Sequence, residues 1–373
     1  MGCSAAHRAG QNVGVSAAEQ AERPWGRPDP AVAETRVAVR RALVGVREAA
    51  GEGSPLVLVA LSGGADSLAL AAAVAFEAPR VGVRAGAVVV DHGLQADSAA
   101  VADRAAAQAR AVGLDPVVVR RVAVDDSSAD GPEAAARAAR YRALEAARAE
   151  LGAASVLTAH TRDDQAEQVL LALARGSGTR AVAGIPPRRG RILRPFLGVS
   201  RATTERACAA QGLDPWHDPH NDDPAYARVR VRSTVLPLLE RELGPGIAAS
   251  LARTAELARE DAELLDELAA EAFAAVVRDE TFATSAEPGE TALDATVLED
   301  VVLDVVALAA LPAALRHRVI RLAAGERFGA LLGREHTLAI AALATDWRGQ
   351  GPIQAPGLDA RRSGGSVILR ATR

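Results

Sequence analysis

Residues 56–67 read LVLVALSGGADS, an uninterrupted apolar run that passes directly into a glycine-rich loop. A short run that is apolar at every position is typical of a strand buried on both faces. Two glycines let the loop backbone approach phosphate oxygens, and the start of a following helix favours negative charge. The order is neither a dinucleotide-binding G-x-G-x-x-G nor a Walker A motif. We therefore predict that the phosphates of ATP are bound by Ser62, Gly63, Gly64, Ala65, Asp66 and Ser67.

Outward from this loop, apolar strands alternate with helices. Further strands are predicted at 85–90, 116–122 and 155–159, and helices at about 33–49, 98–112, 133–151 and 163–174. This alternation predicts an α/β fold, a doubly wound, mainly parallel sheet covered on both faces. We assign this catalytic domain to residues 31–240 and interpret residues 1–30, rich in Gly, Ser, Pro and charge, as a disordered extension.

After about residue 240 the pattern changes. A long amphipathic helix carries leucines at helical spacing, and further helices are predicted around 297–308, 313–324 and 335–344. Gly364 and Gly365, within 353–369, indicate a short hairpin. Residues 241–373 are therefore predicted to form a smaller, mainly helical domain.

The composition excludes several classes of chemistry. In 373 residues there are two cysteines, Cys3 and Cys208, which predicts neither a disulfide framework nor a Cys-based metal site. All 43 basic residues are Arg, so a Schiff-base lysine and a Walker-type lysine are both unavailable. No apolar run reaches the roughly 18–20 residues of a membrane span, and no secretory signal is evident. We expect a cytoplasmic protein that does not contact membranes.

Polar residues also follow two of the other predicted strands. Asp91 and His92 end the strand at 85–90, and His160 and Asp164 follow the strand at 155–159. Since ligands of such sheets bind beyond the carboxyl ends of the strands, these four residues are candidates for nucleotide contact. A capped turn at Asp91 and a surface imidazole at His92 are the competing interpretations. Carboxylates at a phosphate site suit Mg²⁺, so we predict that Asp66 and Asp164 hold this ion.

Arginines dominate the next segment. Residues 175–206 contain eight Arg and one acidic residue in a chain whose net charge is −4. A solvated loop would explain these arginines, but such a concentration of positive charge also suits binding to a phosphate backbone. Farther along, Arg228 and Arg232 stand four residues apart, on one face of a helix, where they could grip pyrophosphate or RNA phosphate.

Taken in order, these motifs resemble the tRNA(Ile)-lysidine synthetase family of PP-loop ATP pyrophosphatases. The resemblance is carried by residues 62–67, 90–94, 133–141, 159–167, 175–178, 194–201 and 216–232. It is strong over about 56–239 and loose beyond. Thr161 stands where the family commonly has His, Gln168 where it usually has Thr, and the chain is too short for the extra C-terminal domain of longer members.

The resemblance implies ligation of free lysine to C2 of cytidine 34 in tRNA-Ile(CAU), through an adenylated cytidine formed from ATP. It implies Mg²⁺ at the phosphates and catalytic roles for Asp66, Asp164, Arg228 and Arg232. It also implies tRNA contacts, which we place in the helical domain and at Arg137, Arg175, Arg188, Arg189, Arg194 and Arg201. A homodimer is left open. The alternatives are an amidating NAD or GMP synthetase-like enzyme, a tRNA-thiolating enzyme, and a non-enzymatic nucleotide- or RNA-binding module.

Overall fold

The glycine loop connects a buried strand to a helix, as the sequence predicts. The computed structural model describes residues 27–93, 97–122, 132–176, 178–278 and 300–372. Most of the extension predicted at 1–30 lies outside these residues. Helices are α1 (Pro30–Ala49), α2 (Ala65–Glu77), α3 (Ser98–Ala111), α4 (Pro132–Glu150), α5 (Arg162–Ala174), α6 (Thr179–Val182), α7 (Arg201–Ala210), α8 (Ala227–Arg230), α9 (Leu236–Leu243), α10 (Ile247–Val276), α11 (Val305–Ala310), α12 (Ala313–Phe328) and α13 (Arg334–Thr345). Strands are β1 (Leu56–Leu61), β2 (Arg84–Asp91), β3 (Val117–Arg121), β4 (Ser155–Leu157), β5 (Arg188–Arg189), β6 (Ile192–Leu193), β7 (Val277–Arg278), β8 (Val301–Asp304), β9 (Ile353–Ala355), β10 (Leu358–Ser363) and β11 (Ser366–Ala371).

The chain divides into two compact units. The nucleotide-type unit comprises residues up to 167 together with 186–249, and the C-terminal unit comprises 168–185 and 250–373. Among the described helices, none combines the length and the apolarity that crossing a membrane requires.

The nucleotide-type unit is built on a six-stranded sheet in the order β3-β2-β1-β4-β6-β5. The pairs β1–β2, β2–β3, β1–β4 and β4–β6 are parallel, and only the short β5–β6 pair is antiparallel. The chain therefore runs outward from β1 to β3 and then crosses back to β4 on the other side of β1. This reversal of strand order lies between β1 and β4, where doubly wound sheets bind their ligands. The predicted parallel α/β fold is confirmed.

Close packing near the start of β2 requires a glycine at position 86. A Cβ on Gly86 would overlap the carbonyl oxygen of Pro116 and lie 3.0 Å from Leu58 Cδ2. By contrast, a Cβ on the exposed Gly45, within α1, would meet no atom within 4 Å.

We expect the two Gly→Ala substitutions to have opposite signs. Gly86→Ala should lower the free energy of unfolding by about 1–3 kcal/mol because it overpacks the sheet. Gly45→Ala should raise it by about 0.5–1 kcal/mol, since alanine is the better helix former. Chemical denaturation of both variants measures this, and a shift of the same sign in both would contradict the close-packing argument.

The C-terminal unit differs from the mainly helical domain that the sequence predicts. Its helices pack with a five-stranded antiparallel sheet in the order β7-β8-β11-β10-β9. The predicted hairpin is present as β10 and β11, but β8 and β9 flank it. The helix predicted at 297–308 is wrong over 301–304, which is strand β8. Val301, Val302 and Leu303 are all buried, and a short run that is apolar at every position does not distinguish a strand from a helix.

Helix α10 also buries a different face from its leucines. Its fully buried positions are Ala255, Ala262, Ala269 and Val276, spaced seven residues apart. Leu257 and Leu264 are more than half exposed. Small residues therefore form its packed stripe.

Candidate active site at the strand-order switch

A cavity of about 790 Å³ lies in the nucleotide-type unit, beyond the carboxyl ends of β1, β2 and β4. Its lining includes most of the predicted nucleotide-binding residues: Ser62, Gly64, Ala65, Asp66, Ser67, Asp91, His92, His160 and Asp164. Arg201 and Arg232 line it as well. Loops that are distant along the chain thus meet in one pocket, as parallel topology leads us to expect.

The glycine loop has a conformation that favours glycine and leaves backbone amide groups free at the start of α2. Gly63 has φ +86°, and a Cβ there would lie 3.4 Å from that of Ala105, so conformation and space both favour glycine. The Ser67 hydroxyl donates to the Gly64 carbonyl and lies 3.2 Å from the Ser62 hydroxyl. Gly64 caps α2 without a side-chain hydrogen bond, which leaves the first amide groups of this 13-residue helix available to an anion.

Asp66 is a partly buried carboxylate that can accept further bonds. Its Oδ1 accepts a short hydrogen bond from the Thr204 hydroxyl, and its Oδ2 lies 3.6 Å from Arg201 Nε. Burial raises the pKa of Asp66 to about 6, although Thr204 and Arg201 oppose the shift. This carboxylate is costly to keep ionised, which is frequent at functional sites.

Asp164 is fixed by the start of its own helix. Its Oδ2 accepts hydrogen bonds from the Thr161 amide at 2.7 Å and from the Thr161 hydroxyl at 2.9 Å. Burial opposes ionisation, but Arg201 and Arg228 hold the pKa of Asp164 below its usual value. Thr161, which departs from the family pattern, thus orients the carboxylate at the start of α5.

Three arginines converge on Glu167, whose side chain is fully buried. Arg228 Nε and Arg232 Nε each donate to it at 2.7 Å, and Arg201 Nη1 at 3.2 Å. Arg201 and Arg228 also bond to Asp164 Oδ1, at 3.1 and 3.0 Å. Arg228 lies in α8 and Arg232 in a π turn at Val231–Val235. The structure thus unites the two predicted arginines, and Asp66 and Asp164 are joined through Arg201.

Two residues of the cluster are missing from the predicted site. Glu167 is the counter-ion of all three arginines, and Thr204 positions Asp66. Glu167 follows Asp164 by three residues on the same helical face, and the sequence therefore predicts that it clusters with His160 and Asp164 beside the glycine loop, although it assigns Glu167 no role. Thr204 carries no local signal, because its contact with Asp66 depends on tertiary packing.

Two histidines of the cavity, His92 and His160, have lowered pKa values and are neutral near pH 7. Burial lowers the pKa of His160 to about 4, and its Nδ1 lies 3.0 Å from the Thr158 hydroxyl. Burial and Arg140 lower the pKa of His92. Among the described residues, nothing hydrogen-bonds the buried Nδ1 of His92, so this atom can bond to a bound nucleotide.

Asp91 has partners within the protein. Its Oδ1 accepts from the Gly93 amide at 3.0 Å and its Oδ2 from Arg121 Nε at 3.1 Å. This is the capped turn that competes with nucleotide contact. A role for Asp91 in ATP binding stays a prediction.

The arginines predicted to contact tRNA fall into two groups. Arg137, Arg175, Arg188 and Arg189 are exposed. Arg194 is 5% exposed and donates to the Pro186 carbonyl, and Arg201 belongs to the carboxylate cluster. For Arg194 and Arg201 these partners compete with a tRNA contact, which stays a prediction. A guanidinium in a basic segment also suits a buried carboxylate or carbonyl, and sequence does not show which it meets.

A magnesium ion fits this site only in part. Asp66 offers a hard oxygen ligand, whereas both oxygens of Asp164 already accept hydrogen bonds from Thr161, Arg201 and Arg228. Across the described part of the chain there is no group of three or more His, Cys, Asp or Glu that could hold a metal. These residues suit an ion bound mainly by phosphate oxygens and water, as Mg²⁺ commonly is.

The fold and the loop define a PP-loop, ATP-using class of protein, and a PP-loop domain model matches residues 38–239. A second model, the TilS substrate binding domain, matches residues 303–368. The chain belongs to the tRNA(Ile)-lysidine synthase family. It is 58% identical to the tRNA(Ile)-lysidine synthase of Leifsonia xyli, over 84% of this chain and 89% of that one. The corresponding protein of Thermobifida fusca is 53% identical, over 92% of this chain and 99% of that one. The solved structure of a U34-tRNA thiolase from Methanococcus maripaludis aligns at TM-score 0.49 and 19% identity, over 61% of this chain and 80% of that one.

Proposed function

We propose that this protein ligates free lysine to C2 of cytidine 34 in tRNA-Ile(CAU), consuming ATP. The observation that supports it most is the meeting of the glycine loop with Asp66, Asp164 and Arg201 in one cavity, with the buried Glu167 paired to Arg201. The membership of the chain in a family that modifies tRNA adds the substrate class. We place the reaction in the cytoplasm.

The first step forms an adenylated base. The C2 oxygen of cytidine attacks the α-phosphorus of ATP, and the bond to the β-phosphate breaks to release pyrophosphate. The loop amides would bind the phosphates, and Arg228 and Arg232 would stabilise the negative charge that develops on them. Bound Mg²⁺, with Asp66 as its protein ligand, would supply charge neutralisation at these oxygens.

The second step transfers lysine. The ε-amine, in its neutral form, attacks C2 and displaces AMP. The nitrogen of the new C–N bond then loses a proton. When phosphate oxygens enter the cavity they compete with Asp164 and Glu167 for the same guanidinium groups. Arg201 would then exchange a carboxylate partner for a phosphate, which would leave Asp164 Oδ1 with fewer guanidinium partners and able to serve as a second ligand of Mg²⁺.

Mass analysis of tRNA-Ile(CAU) tests this function. After incubation with the protein, ATP and lysine, the anticodon fragment should gain the mass of one lysine less one water. Pyrophosphate release should require the tRNA. Release that requires ammonia or glutamine instead would indicate an amidating enzyme, and an unmodified fragment would contradict the proposal. Light scattering on the same preparation decides whether a homodimer forms.

A further inference from the structure

One wall of the nucleotide cavity is formed by the loop that follows α7. Residues 215–218 and 220–222 of this loop line the cavity. The Trp216 amide donates a hydrogen bond to the Gly63 carbonyl at 2.9 Å. The segment 214–222, which we call the wall loop, therefore rests on the backbone of the glycine loop.

The hydrogen bond from Trp216 orients the peptide between Gly63 and Gly64. The Gly63 carbonyl and the Gly64 N–H belong to one planar trans peptide, so they point in opposite directions. Neither residue has a Cβ, and Gly63 has φ +86°, so this peptide can rotate at low steric cost. A hydrogen bond to the Gly63 carbonyl therefore sets the direction of the Gly64 N–H, and Gly64 lines the cavity.

Gln108 holds the start of the wall loop from α3. Its Nε2 donates to the Asp214 carbonyl at 2.8 Å, and its Oε1 accepts from the Asp214 amide at 2.9 Å. A primary amide carries both a donor and an acceptor, so one side chain satisfies both backbone groups of Asp214. These two bonds fix the backbone two residues before Trp216.

Helix α3 also packs directly against the glycine loop. Ala105, one turn before Gln108, is 2% exposed, and its Cβ would lie 3.4 Å from a Cβ placed on Gly63. Ala102, a further turn back, lines the cavity. The same helix thus supports both partners of the hydrogen bond between Trp216 and Gly63.

We propose that Gln108 is a positioning residue for ATP binding, which acts through the wall loop on the glycine loop. Through Asp214 it holds the peptide between Gly63 and Gly64 in the orientation that presents an N–H to the phosphates. Gln108 does not itself line the cavity, so its effect on the nucleotide is indirect. The inference rests on the proposed function, because that function makes ATP the ligand of this cavity.

Equilibrium binding of ATP with Mg²⁺ to the full chain, together with steady-state tRNA adenylation, tests this role. Gln108→Ala removes both hydrogen bonds to Asp214, and we expect ATP to bind about 10-fold more weakly, with KM for ATP raised by the same factor. The kcat should stay within about twofold of wild type, because saturating ATP restores the orientation of the loop. Gln108→Met keeps the length of the side chain without its polar groups and should weaken ATP binding as Gln108→Ala does.

A second glutamine gives the matched control. Gln211, at the end of α7, donates to the Ala207 carbonyl of its own helix at 2.9 Å. Gln211→Ala should therefore keep wild-type affinity for ATP. Amide hydrogen exchange supplies a local measurement: in Gln108→Ala the wall loop should exchange about 10-fold faster, while β1 and α2 keep wild-type protection.

The outcomes separate this inference from the proposed function. Wild-type affinity for ATP in Gln108→Ala or Gln108→Met, or an equal loss in Gln211→Ala, would overturn the positioning role and leave the reaction intact. A lowered kcat with unchanged KM and a lowered midpoint of thermal unfolding would assign Gln108 a structural role instead. A wild-type chain that binds ATP but leaves tRNA-Ile(CAU) unmodified would count against the proposed function alone, because ATP binding and amide exchange are measured without tRNA.

Discussion

Asp66→Asn is expected to abolish tRNA adenylation, with a loss of roughly 10³-fold or more, while the fold is retained. Asparagine keeps the shape and can still accept from Thr204, but it lacks the charge that we assign to Mg²⁺ binding. Pyrophosphate release in the presence of tRNA measures the effect. Asp103→Asn, an exposed aspartate on α3, is the matched control and should retain wild-type activity.

Asp66→Asn should raise the stability of the protein although it abolishes activity. The folded pKa of Asp66 is about 6, above the value of about 3.9 for an unfolded chain, so burial of this residue costs stability once it ionises. Stability is undiminished below about pH 4, where Asp66 is protonated in both the folded and the unfolded state, and it is lost as the pH rises through about 6 and the folded carboxyl ionises. In metal-free buffer at neutral pH the variant should therefore gain up to about 3 kcal/mol in free energy of unfolding. Undiminished turnover, or a variant that unfolds more easily, would contradict the assigned role.

Glu167→Gln is expected to lower the free energy of unfolding by about 3–5 kcal/mol. The fully buried carboxylate accepts from Arg201, Arg228 and Arg232, and its loss leaves only Asp164 and Asp66 to balance three guanidinium groups. Activity should fall as well, because Arg228 and Arg232 would no longer be held together at the cavity. Chemical denaturation with circular dichroism measures the stability change.

An exposed pair gives the control for burial. Glu145 is bonded by Arg148 through paired donors on the surface of α4, and its side chain is 54% exposed. Glu145→Gln should cost no more than about 1 kcal/mol, as surface ion pairs usually do. If the two variants lost similar stability, the cluster around Glu167 would not be a buried network.

Local sequence patterns predicted most strands and helices of the nucleotide-type unit because its strands are short apolar runs bounded by clear turn signals. The structure extends or shortens these elements by one to three residues at their ends. β8 shows where this reasoning fails, since the burial of Val301, Val302 and Leu303 depends on strands that pair with them from elsewhere. A pattern that is apolar at every position carries no period to identify it.

For the site, the sequence predicted which residues lie there better than it predicted which side chains they contact. The parallel-sheet rule brings Asp66, His160 and Asp164 to one edge without knowledge of any side-chain position. Arg201 could not be assigned in the same way, because an arginine in a basic segment has the same local sequence whether it faces solvent or Asp164.

The crossover from β3 back to β4 also determines when this pocket comes into being. A nascent chain that ends after β3 displays the glycine loop without β4, Asp164 or the arginines that balance it. We therefore expect nucleotide affinity only once residue 232 has been synthesised and the long-range parallel pairing has formed, which is a slow event in chains of this topology. ATP binding would then report completed folding around the pocket.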